Sequence, residues 1–226
     1  MEAMSVLQTI RNAFAPDEPN AIATPVFLAA PSGALPIILR TMTMDDQEEW
    51  NRVRWANDEW LKPWESGDPM HGSGITFNQW MINQRRNERR GTGITLLIER
   101  ETRIVGQISL GAIAYGAMRT GVVGYWVDRM HAGEGIAPTA LAMLADWAIA
   151  DPEGPRLHRI EIAILPENER SLAVARKVGA RHEGRREHYM YVAGRWREHE
   201  TFSLLAEDMG EGFTARLLSA NAQGRA

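Results

Sequence analysis

The chain has 226 residues, with 25 Lys or Arg, 29 Asp or Glu and no cysteine. This length suits one domain with a substantial core. The net charge of -4 argues against a surface built mainly for nucleic acid, and the lack of cysteine excludes disulfides, thiolate catalysis and cysteine-based zinc sites.

Other site types are also disfavoured. No apolar run approaches the roughly 20 residues of a membrane-spanning helix, and the first residues lack the pattern of a secretion signal. The six histidines do not show the i, i+4 spacing of a helical metal pair. We therefore expect a cytoplasmic protein that contacts no membrane or nucleic acid and holds no metal.

The N-terminal half begins with a segment, residues 1–34, that prolines interrupt repeatedly. We predict a flexible lead-in there. Residues 37–40 should form the first strand and residues 45–60 the first helix. A second helix is expected over residues 77–89, after a loop rich in Gly, Pro and Ser.

Three strands, over residues 93–99, 104–113 and 121–127, are predicted to form an antiparallel meander because they are rich in β-branched residues and separated by turns. A helix should begin near Ala137, and a further strand should cover residues 158–165. Because a helix connects them as neighbours, the strands over residues 121–127 and 158–165 should be parallel.

The C-terminal part is predicted to contain a helix over residues 169–178 and a hairpin of residues 183–192 and 195–205. Ala193-Gly194 would form its two-residue turn, with glycine where a positive φ is needed. Residues 210–226 are small and polar and are expected to fray as a tail.

A glycine turn, Gly133-Glu134-Gly135-Ile136-Ala137, separates a predicted strand from a predicted helix. Unpaired backbone N–H groups at the positive end of a helix dipole can hold an anionic ligand. Neither glycine carries a Cβ, so the backbone can approach that ligand closely. A glycine turn before a helix can also be a plain connection, but the order of strand, turn and helix recurs at residues 158–179.

Several motifs in this order resemble the GNAT superfamily of acetyl-CoA-dependent N-acetyltransferases, most closely its RimJ/RimL branch of ribosomal-protein-alanine acetyltransferases. The motifs are Gly124-Tyr125-Trp126-Val127, the glycine turn, His158 to Glu161 and Pro166-Glu167-Asn168. The resemblance implies a GNAT domain over residues 35–209. Its fold would be mixed α/β (α+β), with about four helices and a mostly antiparallel sheet of about seven strands containing one splayed parallel pair.

The resemblance also implies a site for acetyl-CoA. The expected binding residues are Tyr125, Trp126, Val127, Gly133, Glu134, Gly135, Ile136, Ala137, Asn168 and Ser171. A strand N–H near Tyr125 to Val127 would polarise the thioester carbonyl. Asn168, otherwise an ordinary helix cap, would contact the cofactor, and Ser171 could protonate the departing CoA thiolate.

The glycine turn departs from the family at two positions. The family usually has Gln or Arg where this chain has Ala132, and a basic or amide residue is common where Glu134 stands. Because the family grips pyrophosphate mainly with main-chain amides, acetyl-CoA binding is still expected.

Glu161 is the candidate catalytic base, because alternation along its strand places it on a face that a central strand should bury. Burial would raise its pKa toward the working range of a general base. A neighbouring arginine, such as Arg159 or Arg54, would instead lower that pKa and make Glu161 part of a structural ion pair.

Acceptor-binding residues are expected between the first two helices, where the family places its acceptor groove. Trp60, Trp64 and Glu65 could form an apolar slot with a carboxylate for the cationic amine, and Tyr189 could close the opposite wall. Core or lid packing is the alternative role for the tryptophans.

The sequence therefore predicts an enzyme that acetylates an N-terminal α-amine of a ribosomal or other cytoplasmic protein. One alternative is acetylation of a small amine, such as a polyamine or an aminoglycoside, which a deep acidic pocket would favour. A non-catalytic acetyl-CoA sensor is another. A homodimer is possible.

Overall fold

A computed structural model describes residues 20–70 and 75–223 of the chain. The strands are β1 (Phe27–Ala29), β2 (Ile38–Thr41), β3 (Ile94–Arg100), β4 (Arg103–Ala114), β5 (Thr120–Val127), β6 (Arg159–Ile164), β7 (Arg181–Val192) and β8 (Arg195–Leu205). The α-helices are α1 (Gln47–Ala56), α2 (Asp58–Leu61), α3 (Phe77–Arg90), α4 (Ile136–Ala150), α5 (Glu169–Lys177) and α6 (Phe213–Gln223).

All eight strands form one sheet in the order β1-β2-β3-β4-β5-β6-β8-β7. Neighbouring strands are antiparallel except β5 and β6, which are parallel as predicted. The predicted fold class is confirmed. The sheet has one strand more than expected, since β1 was not predicted, and the described residues form six α-helices instead of about four.

One face of the sheet packs against α4, α5 and α6. The predicted apolar face of α4, which includes Leu141, Leu144 and Ala148, is buried in this core. Alternate residues of β6, Ile160 and Ile162 among them, meet the same core from the sheet. The burial of both surfaces from water fixes α4 directly behind the parallel strand pair.

The other face is covered over β2 to β4 by α1 and α3. A second apolar cluster lies there, with Trp50 stacked on Trp80 at a ring separation of 5.4 Å. The helix predicted over residues 45–60 is interrupted, since Asn57 has φ -108° and separates α1 from α2.

The predicted flexible lead-in lies partly outside the described residues, which begin at Asn20. Its described part is ordered, contrary to the prediction. Ile22 and Val26 are buried in the core, and β1 pairs with β2 at the sheet edge. Val26 donates its N–H to Thr41 Oγ1 over 2.7 Å, so the strand has a specific anchor that proline content does not reveal.

The prediction of a fraying C-terminal tail is wrong for residues 213–223, which form α6. Phe213 is fully buried, and Leu217 follows it one turn later in the core. The Asp146 carboxylate of α4 accepts the N–H groups of Phe213 and Thr214 at 2.7 and 3.0 Å. A cap supplied by a different helix therefore starts α6, which local sequence patterns cannot show.

Candidate active site

A cavity of about 880 Å³ opens where β5 and β6 separate. It brings together most of the predicted site residues, namely Trp60, Trp64, Glu65, Tyr125, Trp126, Val127, Gly133, Gly135, Ile136, Ala137, Asn168 and Ser171. Three predicted residues, Glu134, Glu161 and Tyr189, are not among its described lining residues. The cavity runs from the glycine turn at one end to the segment after α1 at the other.

The separation of β5 from β6 follows from their register. The parallel pairing ends at Val123 and Ile162, but β5 continues to Val127 along β4, and β6 continues to Ile164 along β8. Each strand stays with its antiparallel neighbour and leaves its parallel one. Beyond Val123, β5 therefore has no strand on its β6 side among the described residues, so its backbone faces the cavity.

The glycine turn has the geometry that an anion site requires. Gly133 and Gly135 have φ values of 89° and 88°, in the left-handed region that other residues rarely adopt, and a Cβ at either would meet nothing within 4 Å. The hydrogen bonds of α4 begin only at Thr139, whose N–H donates to Gly135 O over 3.2 Å. The N–H groups of Ile136 and Ala137 have no acceptor in the described chain, so they can donate to a bound phosphate.

Glu134 does not place its negative charge in the cavity. Its carboxylate bonds to Arg100, and His131 Nδ1 lies 3.3 Å away. Partial burial opposes ionisation, but these two partners lower the pKa of Glu134 overall. The acid in the middle of the turn is thus paired locally, and it lines a second cavity with Gly135 and Lys177 instead of the main one.

Four basic residues that the sequence analysis did not name also line the cavity: Arg129, His131, Arg170 and Lys177. Arg170, Val174 and Lys177 stand at positions i, i+4 and i+7 and therefore share a face of α5. Helical periodicity along the helix that Asn168 caps could have identified the two basic residues. Arg129 and His131 belong to a short 3-10 turn with no such pattern. The cavity is therefore lined by several basic side chains, although Ala132 itself carries no charge.

Tyr125 and Ser171 form a polar pair inside the cavity. The Tyr125 hydroxyl lies 2.8 Å from Ser171 Oγ, and either atom can be the donor. Asn168 caps α5 by accepting the Ser171 N–H over 3.2 Å, as predicted, and its amide borders the cavity as well. Burial raises the pKa of Tyr125 to about 12, so this phenol stays protonated at neutral pH.

Three of the predicted acceptor residues, Trp60, Trp64 and Glu65, form one wall of the cavity, the acceptor wall, whereas Tyr189 does not line it. One face of Trp60 is covered by Arg170, whose guanidinium carbon is 4.2 Å from the ring centroid. The Glu65 carboxylate is bonded to Arg54, so it does not stand free to attract an amine. Gly67 donates its N–H to Tyr191 O over 2.9 Å, which attaches this segment to β7.

Glu161 lies on β6 and is only 8% exposed, and its carboxylate is part of an ion pair with the more exposed Arg186. Arg186 donates to its two carboxylate oxygens at 2.6 and 2.9 Å, and the Tyr189 hydroxyl donates over 2.6 Å. Arg159 is 3.9 Å away, and Arg54 contacts other acids. The geometry is that of the structural ion pair, with Arg186 as a partner that the sequence analysis did not identify.

Replacing Glu161 with Gln is therefore expected to lower the free energy of unfolding by about 1–3 kcal/mol, because Arg186 loses its counter-charge. The value of kcat/KM should stay within about threefold of the wild type. Denaturant unfolding and steady-state kinetics of the same variant measure both effects. Arg186→Gln is the matched control and should destabilise similarly, whereas a 100-fold loss of activity at unchanged stability would make Glu161 catalytic.

Asn57 connects the acceptor wall to the glycine-turn segment. It is 2% exposed, and its Nδ2 donates to Val53 O and Asp128 Oδ1, each over 2.9 Å. Its Oδ1 accepts the Arg129 N–H over 2.8 Å. The residue that interrupts the first helix thus fixes the start of the segment that follows β5, a role with no clear signal in the sequence.

Within residues 20–70 and 75–223, no group of three or more His, Cys, Asp or Glu side chains is arranged to hold a metal ion. No helix in the same part of the chain is both long and apolar enough to cross a membrane.

Comparison with known proteins agrees with this geometry. A family model described as "Acetyltransferase (GNAT) domain" matches residues 37–181. The solved structure of Mycobacterium smegmatis RimJ, in complex with CoA-disulfide, is 33% identical and superposes with a TM-score of 0.77, covering 89% of this chain and 96% of that one.

The relatives found by sequence comparison are also named as N-acetyltransferases. The [Ribosomal protein uS5]-alanine N-acetyltransferase of Escherichia coli (strain K12) is 26% identical over 172 residues, which are 74% of this chain and 87% of that enzyme. The probable N-acetyltransferase YjcK of Bacillus subtilis (strain 168) is 33% identical over 108 residues, 48% of this chain and 58% of that protein. The resemblance carried by the sequence motifs is confirmed, and this chain belongs to the GNAT family of acetyl-CoA-dependent acetyltransferases.

Proposed function

We propose that this protein transfers the acetyl group of acetyl-CoA to the N-terminal α-amine of a protein, with a ribosomal protein as the first candidate. The observation that carries the proposal is the cavity at the splayed strands, which joins an anion-binding glycine turn to an open wall formed after α1. The Escherichia coli relative, which is named for an alanine of ribosomal protein uS5, supports this choice of acceptor.

The cavity residues fit acetyl-CoA. The N–H groups of Ile136 and Ala137 and the Lys177 ammonium would hold the pyrophosphate. The unpaired side of β5 offers backbone groups along which the pantetheine chain could extend, as an additional strand would. Acetyl-CoA supplies the activated acetyl group as a thioester.

The reaction requires an uncharged amine at the thioester carbonyl. The amine nitrogen forms the new bond to carbon, the carbon–sulfur bond breaks, and the proton that the amine loses balances the one that the thiolate gains. A β5 N–H between Tyr125 and Val127 would stabilise the charge that develops on the carbonyl oxygen. The Ser171 hydroxyl, hydrogen-bonded to the protonated Tyr125, would donate the proton to sulfur.

An α-amine suits a cavity without a free carboxylate. Its ordinary pKa of about 7.7–8.0 leaves roughly a tenth of it neutral at pH 7, whereas the lysine pKa of about 10.4 leaves far less. Glu65, which is bonded to Arg54, is the only acid among the described lining residues, so no carboxylate is positioned as a strong base. The same observation disfavours a polyamine or an aminoglycoside, because their several positive charges call for an acidic pocket.

A panel of acceptors tests the proposal. The full chain and acetyl-CoA are incubated with N-terminal peptides of ribosomal proteins, with the same peptides blocked at the α-amine, and with polyamines and aminoglycosides, while free thiol is measured. Thiol release with unblocked peptides only is the expected result. Turnover confined to the small amines would contradict the peptide acceptor, and no turnover with any amine would favour the acetyl-CoA sensor.

A further inference from the structure

Two arginines at the acceptor wall have no carboxylate partner in the described part of the chain. Arg170 and Arg129 both contact Trp60, with their guanidinium carbons 4.2 and 5.7 Å from the ring centroid. Neither forms a salt bridge with any described residue. Both line the cavity, so their charges act on whatever occupies it.

Position along α5 separates Arg170 from the cofactor's phosphates. Lys177 lines both the main cavity and a second one beyond Gly135, which places it at the phosphate end. Arg170 lies seven residues earlier on the same helix face, about 10 Å away at 1.5 Å per residue. Its contact with Trp60 of α2 places it at the acceptor end.

The acceptor wall is therefore positively charged. Its only acid among the described lining residues, Glu65, is neutralised by Arg54, whereas Arg170 and Arg129 remain unpaired. Such a wall repels further cations and attracts a carboxylate. It also favours the uncharged form of a nearby amine, which is the form that reacts.

We propose that the preferred acceptor is a protein N-terminus with acidic residues shortly after its α-amine, and that Arg170 and Arg129 bind those carboxylates. The inference rests on the proposed function, since it specifies the acceptor of the same reaction. Guanidinium groups bind carboxylates through two parallel hydrogen bonds, and the Trp60 ring holds the Arg170 group in place for that contact.

Three synthetic hexapeptides test the preference. All share an N-terminal alanine, and positions three and four carry two glutamates, two glutamines or two lysines. For the wild-type chain, kcat/KM should be about tenfold higher for the glutamate peptide than for the lysine peptide, with the glutamine peptide between them. Added salt should reduce this difference because it screens exposed charges.

Charge reversal identifies the residue responsible. Arg170→Glu should reverse the order of the glutamate and lysine peptides while the Kd for acetyl-CoA, measured by calorimetry, stays within about twofold. The matched control is Arg176→Glu, which changes the net charge by the same amount at an exposed position of α5 outside the cavity lining. That control should keep the wild-type order.

Each other outcome counts against the inference. Equal rates for the three peptides would overturn it and leave the proposed α-amine acetylation intact. An Arg170→Glu variant that binds acetyl-CoA at least fivefold more weakly, with an unchanged peptide order, would assign Arg170 to the cofactor. No turnover of any of the peptides would reject the inference together with the proposed function.

Discussion

Replacing Gly135 with aspartate is expected to raise the Kd for acetyl-CoA about 100-fold, because a carboxylate would then stand where the turn's N–H groups receive phosphate. Gly135 has φ 88°, and a Cβ there would point into open space, so the new side chain has room within the cavity. Isothermal calorimetry of the folded variant with acetyl-CoA measures the effect.

Two contributions must be separated in that result. Any side chain at Gly135 strains the left-handed backbone, by an amount of order 1–3 kcal/mol, and an N-cap aspartate partly compensates by capping α4. Gly135→Asn shares the shape and tolerates this conformation better than most residues, so it is the matched control. It should bind acetyl-CoA much more tightly than the aspartate variant. Equal affinities of the two variants would show that backbone strain, not phosphate repulsion, causes the loss.

Removal of the Ser171 hydroxyl is expected to lower kcat about 100-fold, because the departing thiolate would lose its proton donor. The Ser171 side chain is hydrogen-bonded to Tyr125 over 2.8 Å, so Tyr125→Phe should lower kcat as well, by a smaller factor. Acetyl-CoA affinity should change little in both. Single-turnover kinetics of Ser171→Ala, Ser171→Thr and Tyr125→Phe measure the rate of the chemical step. Ser171→Thr should retain most of the wild-type rate, because it keeps a hydroxyl.

Three results would contradict this assignment. If Ser171→Ala had the wild-type kcat, solvent and not Ser171 would be the proton donor to the thiolate. A parallel loss of acetyl-CoA affinity and kcat would make the hydroxyl a binding group. A loss in Ser171→Thr as large as in Ser171→Ala would point to packing instead of proton transfer.

The pH dependence of wild-type kcat/KM tests the protonation state of Tyr125 in its pair with Ser171. Burial raises the pKa of Tyr125 to about 12, so its phenol remains protonated well above the range in which an ordinary tyrosine, near 10, would ionise. The value of kcat/KM should therefore rise through the acceptor amine's pKa near 8 and then stay level to about pH 10. A decline that begins near pH 9 would mean that Tyr125 ionises more easily than its environment implies.

Much of the fold could be predicted from the sequence because it depends on patterns among residues that are close along the chain. Apolar residues at helical spacing predicted α4, and β-branched runs separated by turns predicted the meander of β3 to β5. The glycine turn was identifiable because Gly133 and Gly135 occupy the left-handed backbone region, which glycine tolerates best. A helix between two neighbouring strands predicted their parallel direction. The splaying of that pair was implied only by the resemblance to the family.

The charged groups show the limit of that reasoning. The sequence identifies Glu161 as a candidate base, and only the fold shows its pairing with Arg186. Likewise, Glu134 is a charge in the glycine turn, and only the fold shows its pairing with Arg100. An ion-pair partner depends on which strands meet and in what register, and the sequence near a carboxylate does not encode it.

The same reason applies to the ends of the chain and to the acceptor wall. Asp146 of α4 caps α6, and β1 is held by pairing with β2, so neither element has a local signal of its own. Trp60 was predicted as an acceptor residue, but only the packing of α2 beside α5 places it against Arg170. The sequence by itself determined most of the elements, the glycine turn and the family. Tertiary structure decided which charges are neutralised and which remain free in the cavity, because that depends on contacts between elements that are distant in sequence.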